Sequence, residues 1–96
     1  MPANAVRADY LLGKAWLAAG RGDLADHYAA RTLAGCAAAG LADFDLAYAH
    51  ELHARALAVQ GRTDEATAAA DRARGIPIAD PEDRALVEAD LADLPG

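Results

Sequence analysis

Only one cysteine, Cys36, occurs in the 96 residues, so no disulfide can form within the chain. It sits in the alanine-rich run GCAAAG, where a small inert hydrophobe is expected rather than a reactive thiol. Aromatic residues are scarce (one Trp, one Phe, three Tyr), and so are Val, Ile and Thr. That shortage removes the usual material of strands and favours helix almost everywhere. Nine basic residues stand against fifteen acidic ones, a net charge of −6 with no basic stripe, so nucleic acid is not expected as a partner. Long hydrophobic runs are also missing. The apolar stretches are broken by Arg, Asp or Gly, which argues against a membrane span, and the first residues lack the basic-then-apolar order of a signal peptide. The default expectation is a cytoplasmic protein.

What the chain does have is alanine, which makes up more than half of its 54% apolar content. One small domain over 1–96 with a thin core follows, marginally stable alone. The stretch DFDLAYAHELHARALAVQG, Asp43 to Gly61, combines an aromatic cluster, paired histidines and a helical apolar period. Phe44, Tyr48, Leu52 and Val59, with Leu57 beside them, gather along one side of a helix that Gly61 stops.

Around that helix the signals punctuate four more. Met1 to Asn4 should fray, with Asn4 as N-cap of a first helix from about Ala5 to Ala19. Its apolar side collects Val6, Tyr10, Leu11, Trp16 and Leu17 before the turn GRGD. GRGD contains RGD but reads as glycine for a turn and Asp23 to begin the next helix, not as a cell-attachment motif. That second helix runs toward Gly40, with Gly35 a weakening interior residue. Asp43 is expected to cap the third helix and Thr63 the fourth, which ends at Gly75. GIPIA is an extended link. Asp80, Pro81, Glu82 and Asp83 then open a fifth helix to about Asp93, with Leu86, Val87, Leu91 and Leu94 expected to pack on the fourth and Pro95 and Gly96 closing the chain.

Setting Gly20-Arg21 on Gly61-Arg62 reveals an internal repeat at a shift of 41, which aligns Asp23 with Asp64, Ala25 with Ala66, Arg31 with Arg72 and Lys14 with Arg55. The segment LLGKAWLAAGRGDLA resembles the first helix and turn of the tetratricopeptide repeat family: Leu12-Gly13 as its Leu-Gly pair, Trp16 at its large aromatic position, Ala25 as the small residue where two helices touch. The second copy supplies Ala54, Leu57, Gly61, Ala66 and Ala73 at the matching points. Asp9 and His50 depart from the pattern where the family has Trp, as do Ala29 and Ala70 where it prefers an aromatic, so a plain antiparallel helical bundle stays open. The stretches AGLADFDLAYAHE and ADPEDRALVEADLADLPG also resemble a group of short, uncharacterised bacterial proteins of tetratricopeptide type, a likeness that bears on fold and not on function.

No residue set points to catalysis. There is no strand to carry a phosphate-cradling glycine loop and no local Ser-His-Asp arrangement. HELH, His50 to His53, falls one residue short of the zinc motif HExxH, leaving a weak metal reading in which His50 and His53 share a helical face with His27 or an Asp as third ligand. The resemblance implies instead that the first helix of each pair lines a concave surface that holds a partner peptide. Carried over by position, that surface receives Arg7, Tyr10, Lys14 and Leu17 from the first copy and Tyr48, Glu51, Leu52 and Arg55 from the second. Three basic residues beside two tyrosines would suit a peptide carboxylate or an acidic segment; alternatively, Lys14 and Arg55 merely pair with Glu51.

The expectation is an all-α protein: two antiparallel helical hairpins, about 4–40 and 42–78, and a capping helix over about 80–94. It acts as a protein–protein interaction module without catalysis or cofactor. A homo-oligomerising structural or regulatory domain is the alternative, with a homodimer covering whatever apolar surface the first helix leaves open.

Overall fold

The computed structural model describes residues 2–94 and contains five α-helices, with no strand among the described residues. They are α1 (Pro2–Ala18), α2 (Gly22–Ala39), α3 (Asp43–Val59), α4 (Thr63–Arg74) and α5 (Pro81–Ala92). Pairs α1/α2 and α3/α4 form the two hairpins, α2 packs on α3, and α5 lies against α3 and α4. No helix is long and apolar enough to cross a membrane. Pro95 and Gly96, read as the close of the chain, lie outside the described residues, as does Met1.

The two hairpins turn in the same way. Gly20 and Gly61 take positive φ (77° and 75°), the left-handed conformation that ends a helix and that glycine enters without a Cβ clash. The N–H of Arg21 reaches back to the Trp16 carbonyl at 3.0 Å, and 41 residues on that of Arg62 reaches the Leu57 carbonyl at 3.0 Å. In each case the arginine is also the N-cap of the next helix. The chain thus closes one helix and opens the next within a single turn.

Three of the expected caps fall elsewhere, one of them through this economy. Arg62, not Thr63, stands at the N-cap of α4, and Thr63 is already helical. Asn4 lies inside α1, which begins at Pro2. Ala42 occupies the N-cap of α3, while Asp43, at φ 61°, turns its carboxylate to the Ala79 N–H at 3.0 Å and so ties the extended link to the start of α3. Asp80 caps as its sequence signal says, accepting from the N–H groups of Glu82 and Asp83 at 2.7 and 3.1 Å with Pro81 behind it.

Alanine dominates the buried apolar surface, so the helices meet nearly backbone to backbone. Ala54, Leu57, Ala66, Ala69 and Ala70 join α3 to α4. Ala47, Ala73, Ile78, Val87 and Leu91 seat α5, and Val6, Cys36 and Ala49 join α1, α2 and α3. Gly35 also sits at a close approach: a Cβ at that position would lie 2.8 Å from Val6 Cγ2, so glycine lets α1 approach α2. Burial pushes the Cys36 thiol up, consistent with the inert packing role.

Three apolar side chains depart from expectation, and Leu11 joins them on the side the first helix was expected to leave open, where Val6, expected beside it, is buried instead. Leu11 is 65% exposed, Trp16 36%, Val59 51% and Leu86 56%, although each carries the helical period of a core face. On α5 it is Val87 and Leu91 that are buried, while Leu86 looks outward.

Candidate functional site

α1 and α5 both touch α3 but not each other, so they stand as two walls over a floor made by one face of α3. Helical spacing brings Phe44, Tyr48, Glu51 and Arg55 up that floor in successive turns. Arg7, Tyr10, Lys14 and Leu17 line the α1 wall. Asp83, Leu86, Asp90 and Asp93 fall on one side of α5 by the same spacing. All six residues expected from sequence at the partner site, Arg7, Tyr10, Lys14, Tyr48, Glu51 and Arg55, therefore meet along this groove, with Leu17 at one end and Leu52 buried beneath it.

Glu51 is the centre of the arrangement and is only 1% exposed. A bare carboxylate at that depth would be costly, and three groups compensate it. The Tyr10 hydroxyl donates to its Oε1 at 3.2 Å, Arg55 donates to its Oε2 from one turn away, and the Lys14 ammonium lies 3.8 Å from it. Arg55 also donates to the Asp90 carbonyl at 2.8 Å and approaches Asp93 at 3.9 Å, which fastens α5 to α3. Burial works against the Arg55 charge, but Glu51, Asp93 and Asp90 together hold the guanidinium above its ordinary value.

The tyrosines complete the floor. Tyr10 and Tyr48 meet edge to face with centroids 5.9 Å apart, and Phe44 meets Tyr48 at 4.8 Å. Tyr48 donates its hydroxyl to Asp90 across the groove. Burial first, and then the neighbouring Glu51 and Asp90 carboxylates, raise both phenols far above their ordinary value, so they remain hydrogen-bond donors. The aromatic end opens as a cavity of about 350 Å³ edged by Arg7, Asp45 and Asp90, and a second hollow of about 300 Å³ lies at the Leu17 and Val59 end.

The cations of the groove are already engaged, as one of the two sequence readings had it. Arg7 is paired to Asp45 at 3.1 Å, and Lys14 and Arg55 share Glu51. The sequence offers Asp45 only as a charge at the start of α3 and does not tie Asp45 or Asp90 to the partner site, because their partners lie more than 35 residues away, beyond the reach of local spacing. The acidic charge of α5 is the part left over. Among the described residues Asp80, Glu82, Asp83, Glu88 and Asp90 make no salt bridge, and Asp83 is raised from its ordinary value by partial desolvation and by Asp80, Asp43 and Glu82 around it.

Comparison with protein-family models, with curated proteins and with solved structures finds no match to this chain. The histidines lie elsewhere in the structure. His53 Nδ1 is 2.7 Å from Asp26 on α2, and His50 keeps Nδ1 buried with no hydrogen-bond partner among the described residues. No three His, Cys, Asp or Glu side chains gather for a metal among the described residues, and His27 meets Tyr28 edge to face.

Proposed function

We propose that the chain is a non-catalytic interaction module that seats a polypeptide segment of another protein in the groove between α1 and α5, in a tetratricopeptide-like arrangement of its hairpins. The observation that carries this reading is the open, aromatic-floored trough with unneutralised carboxylates along one wall. Apolar side chains of the partner would enter beside Tyr10, Phe44 and Tyr48 and rest on exposed Leu86. Because Arg7, Lys14 and Arg55 are satisfied within the chain while Asp83 and Asp90 make no salt bridge among the described residues, the favoured segment is basic rather than acidic.

Photo-cross-linking tests this. A benzophenone residue in place of Leu86, in the groove wall, is expected to capture a segment with Lys or Arg near the cross-link from an extract of the source cells; one in place of exposed Ala34 on α2 is not. Equal labelling from both positions, or none from position 86, overturns the reading. Capture of an acidic segment keeps the groove and overturns its charge preference.

A second reading, self-association as a structural or regulatory domain, is favoured by the exposed leucines of α1. The two are compatible, since the groove and those leucines lie on different sides of that helix.

A further inference from the structure

The shift of 41 residues identifies what the exposed side of α1 is. On α3, the residues that dock against the preceding hairpin are Leu46, Ala49, Leu52, His53, Ala56 and Gln60. Leu46 and Ala49 join the cluster of Val6 and Cys36, Leu52 lies against Gly13 and Tyr28, and His53 faces Asp26. Ala56 meets Gly22, whose carbonyl accepts from Gln60 Nε2 at 3.1 Å. Their equivalents on α1 are Ala5, Ala8, Leu11, Leu12, Ala15 and Ala19, and every one is exposed. The same face that is 0% exposed at Ala49, Leu52 and Ala56 is 65% exposed at Leu11 and 46% at Leu12. Among the described residues it is a stacking face without its mate.

We infer that this face is covered by the same face of a second copy of the chain, in a two-fold α1 to α1 contact. The surface that receives α3 is filled in each copy by that copy's own α3, and at the next hairpin Ala47 of α3 and Ala73 of α4 are covered by Val87 and Leu91 of α5. With both of those surfaces taken, the stacking partner left for the α1 strip of one copy is the α1 strip of the other. The strip carries no charge, and its bordering charged residues are neutralised at home: Arg7 by Asp45, Asp9 by Arg31 at 3.1 Å, Lys14 by Glu51. Two copies meet there without stranding an ion. Alanines at 5, 8, 15 and 19 let the helices come close, and the leucines fill the seam. A strip along a helix roughly 25 Å long falls short of the ~800 Å² per partner of a standard interface, so the pairing is weak and concentration-dependent. The net charge of −6 on each copy opposes it, so added salt strengthens it, the reverse of a contact with a basic partner.

Trp16, the sole tryptophan, sits at the rim of the strip and reports directly. Sedimentation equilibrium of the full chain is expected to show mass rising from monomer toward dimer with concentration, more steeply at high salt, with a blue shift of the tryptophan emission over the same range. Leu11→Glu is expected to weaken the dimer about tenfold or more, and so is Ala15→Lys, which charges the same strip without removing a leucine. Leu86→Glu, at the other large exposed leucine outside α1, is expected to leave it unchanged, and circular dichroism checks that all three keep their helicity. A monomer at every concentration overturns the inference, as does a dimer that survives both strip variants or is broken by Leu86→Glu.

Discussion

Leu11 and Leu52 stand at equivalent points of the two hairpins, yet one is 65% exposed and the other 0%. Their local sequences ask for the same thing. The turns that follow them match bond for bond, from the left-handed glycine to the arginine that caps the next helix. What differs is the neighbour: among the described residues α3 packs on a preceding hairpin and α1 does not. Burial in a repeat architecture belongs to position in the stack as much as to the residue, and the comparison shows which residues pay conformational entropy in return for contact and which stay in water.

Truncating both leucines separates the two hairpins most sharply. Leu52→Ala removes a fully buried side chain from between Gly13 and Tyr28, and a loss of about 2–5 kcal/mol is expected. Leu11→Ala is expected to stay within about 0.5 kcal/mol, measured by urea unfolding at a protein concentration low enough to keep the monomer. Similar losses from both would mean that α1 is covered in the monomer and would end the comparison.

A smaller effect is expected where the two hairpins differ by one methyl group. Gly13 in α1 corresponds to Ala54 in α3, which is 1% exposed. A Cβ at Gly13 would stand 2.5 Å from Leu52 Cδ2 and 3.2 Å from Tyr28 Cβ. In an open helix Gly→Ala stabilises by roughly 0.5–1 kcal/mol, because the unfolded chain loses freedom. Gly13→Ala is expected to destabilise instead, by about 1–3 kcal/mol from overpacking. A gain in melting temperature for that variant would show that Leu52 yields easily and that the close approach of α1 to α3 is not enforced.

Much of this was legible from residues alone, and the parts that were not share a cause. The five helices, their turns and the 41-residue repeat follow from glycine spacing and apolar period, which are local. The Asp80 cap is local too, and it stands. The caps assigned to Asp43 and Thr63 failed because side chains were read without the turn before them. In the hairpin turn Arg62 ends one helix and starts the next, and Asp43 is drawn off by the backbone of Ala79, 36 residues away. Trp16, Val59 and Leu86 failed for the reason the hairpins teach: a period shows which side a residue takes and not whether anything lies there. At the groove, it was the tetratricopeptide resemblance, carried over position by position, that put the six residues on one surface. The carboxylates Asp45 and Asp90 that complete it are joined to them only across helices.

The smallest expected effect concerns a pair of positions whose chemistry the second hairpin reverses. In the first, Asp9 meets Arg31 in an ion pair at 3.1 Å. Shifted by 41, the same two places hold His50 and Arg72. Burial first, and then the charges of Arg72 and His53, push the His50 pKa below its ordinary 6.5. The sign follows from which state holds the proton. Between the lowered folded value and 6.5 the unfolded chain binds more protons, so the contribution of neutral His50 is fully present above 6.5 and is lost as pH falls through that window. Unfolding free energy should therefore decline on mild acidification, and His50→Gln should decline less over the same range, since it has no proton to gain. His50→Asp goes further by restoring the first hairpin's ion pair with Arg72, and its advantage over His50→Gln is expected at neutral pH and to shrink when the carboxylate is protonated. Identical pH slopes for wild type and His50→Gln would show that Arg72 does not act on His50, and the two positions would then be equivalent in sequence only.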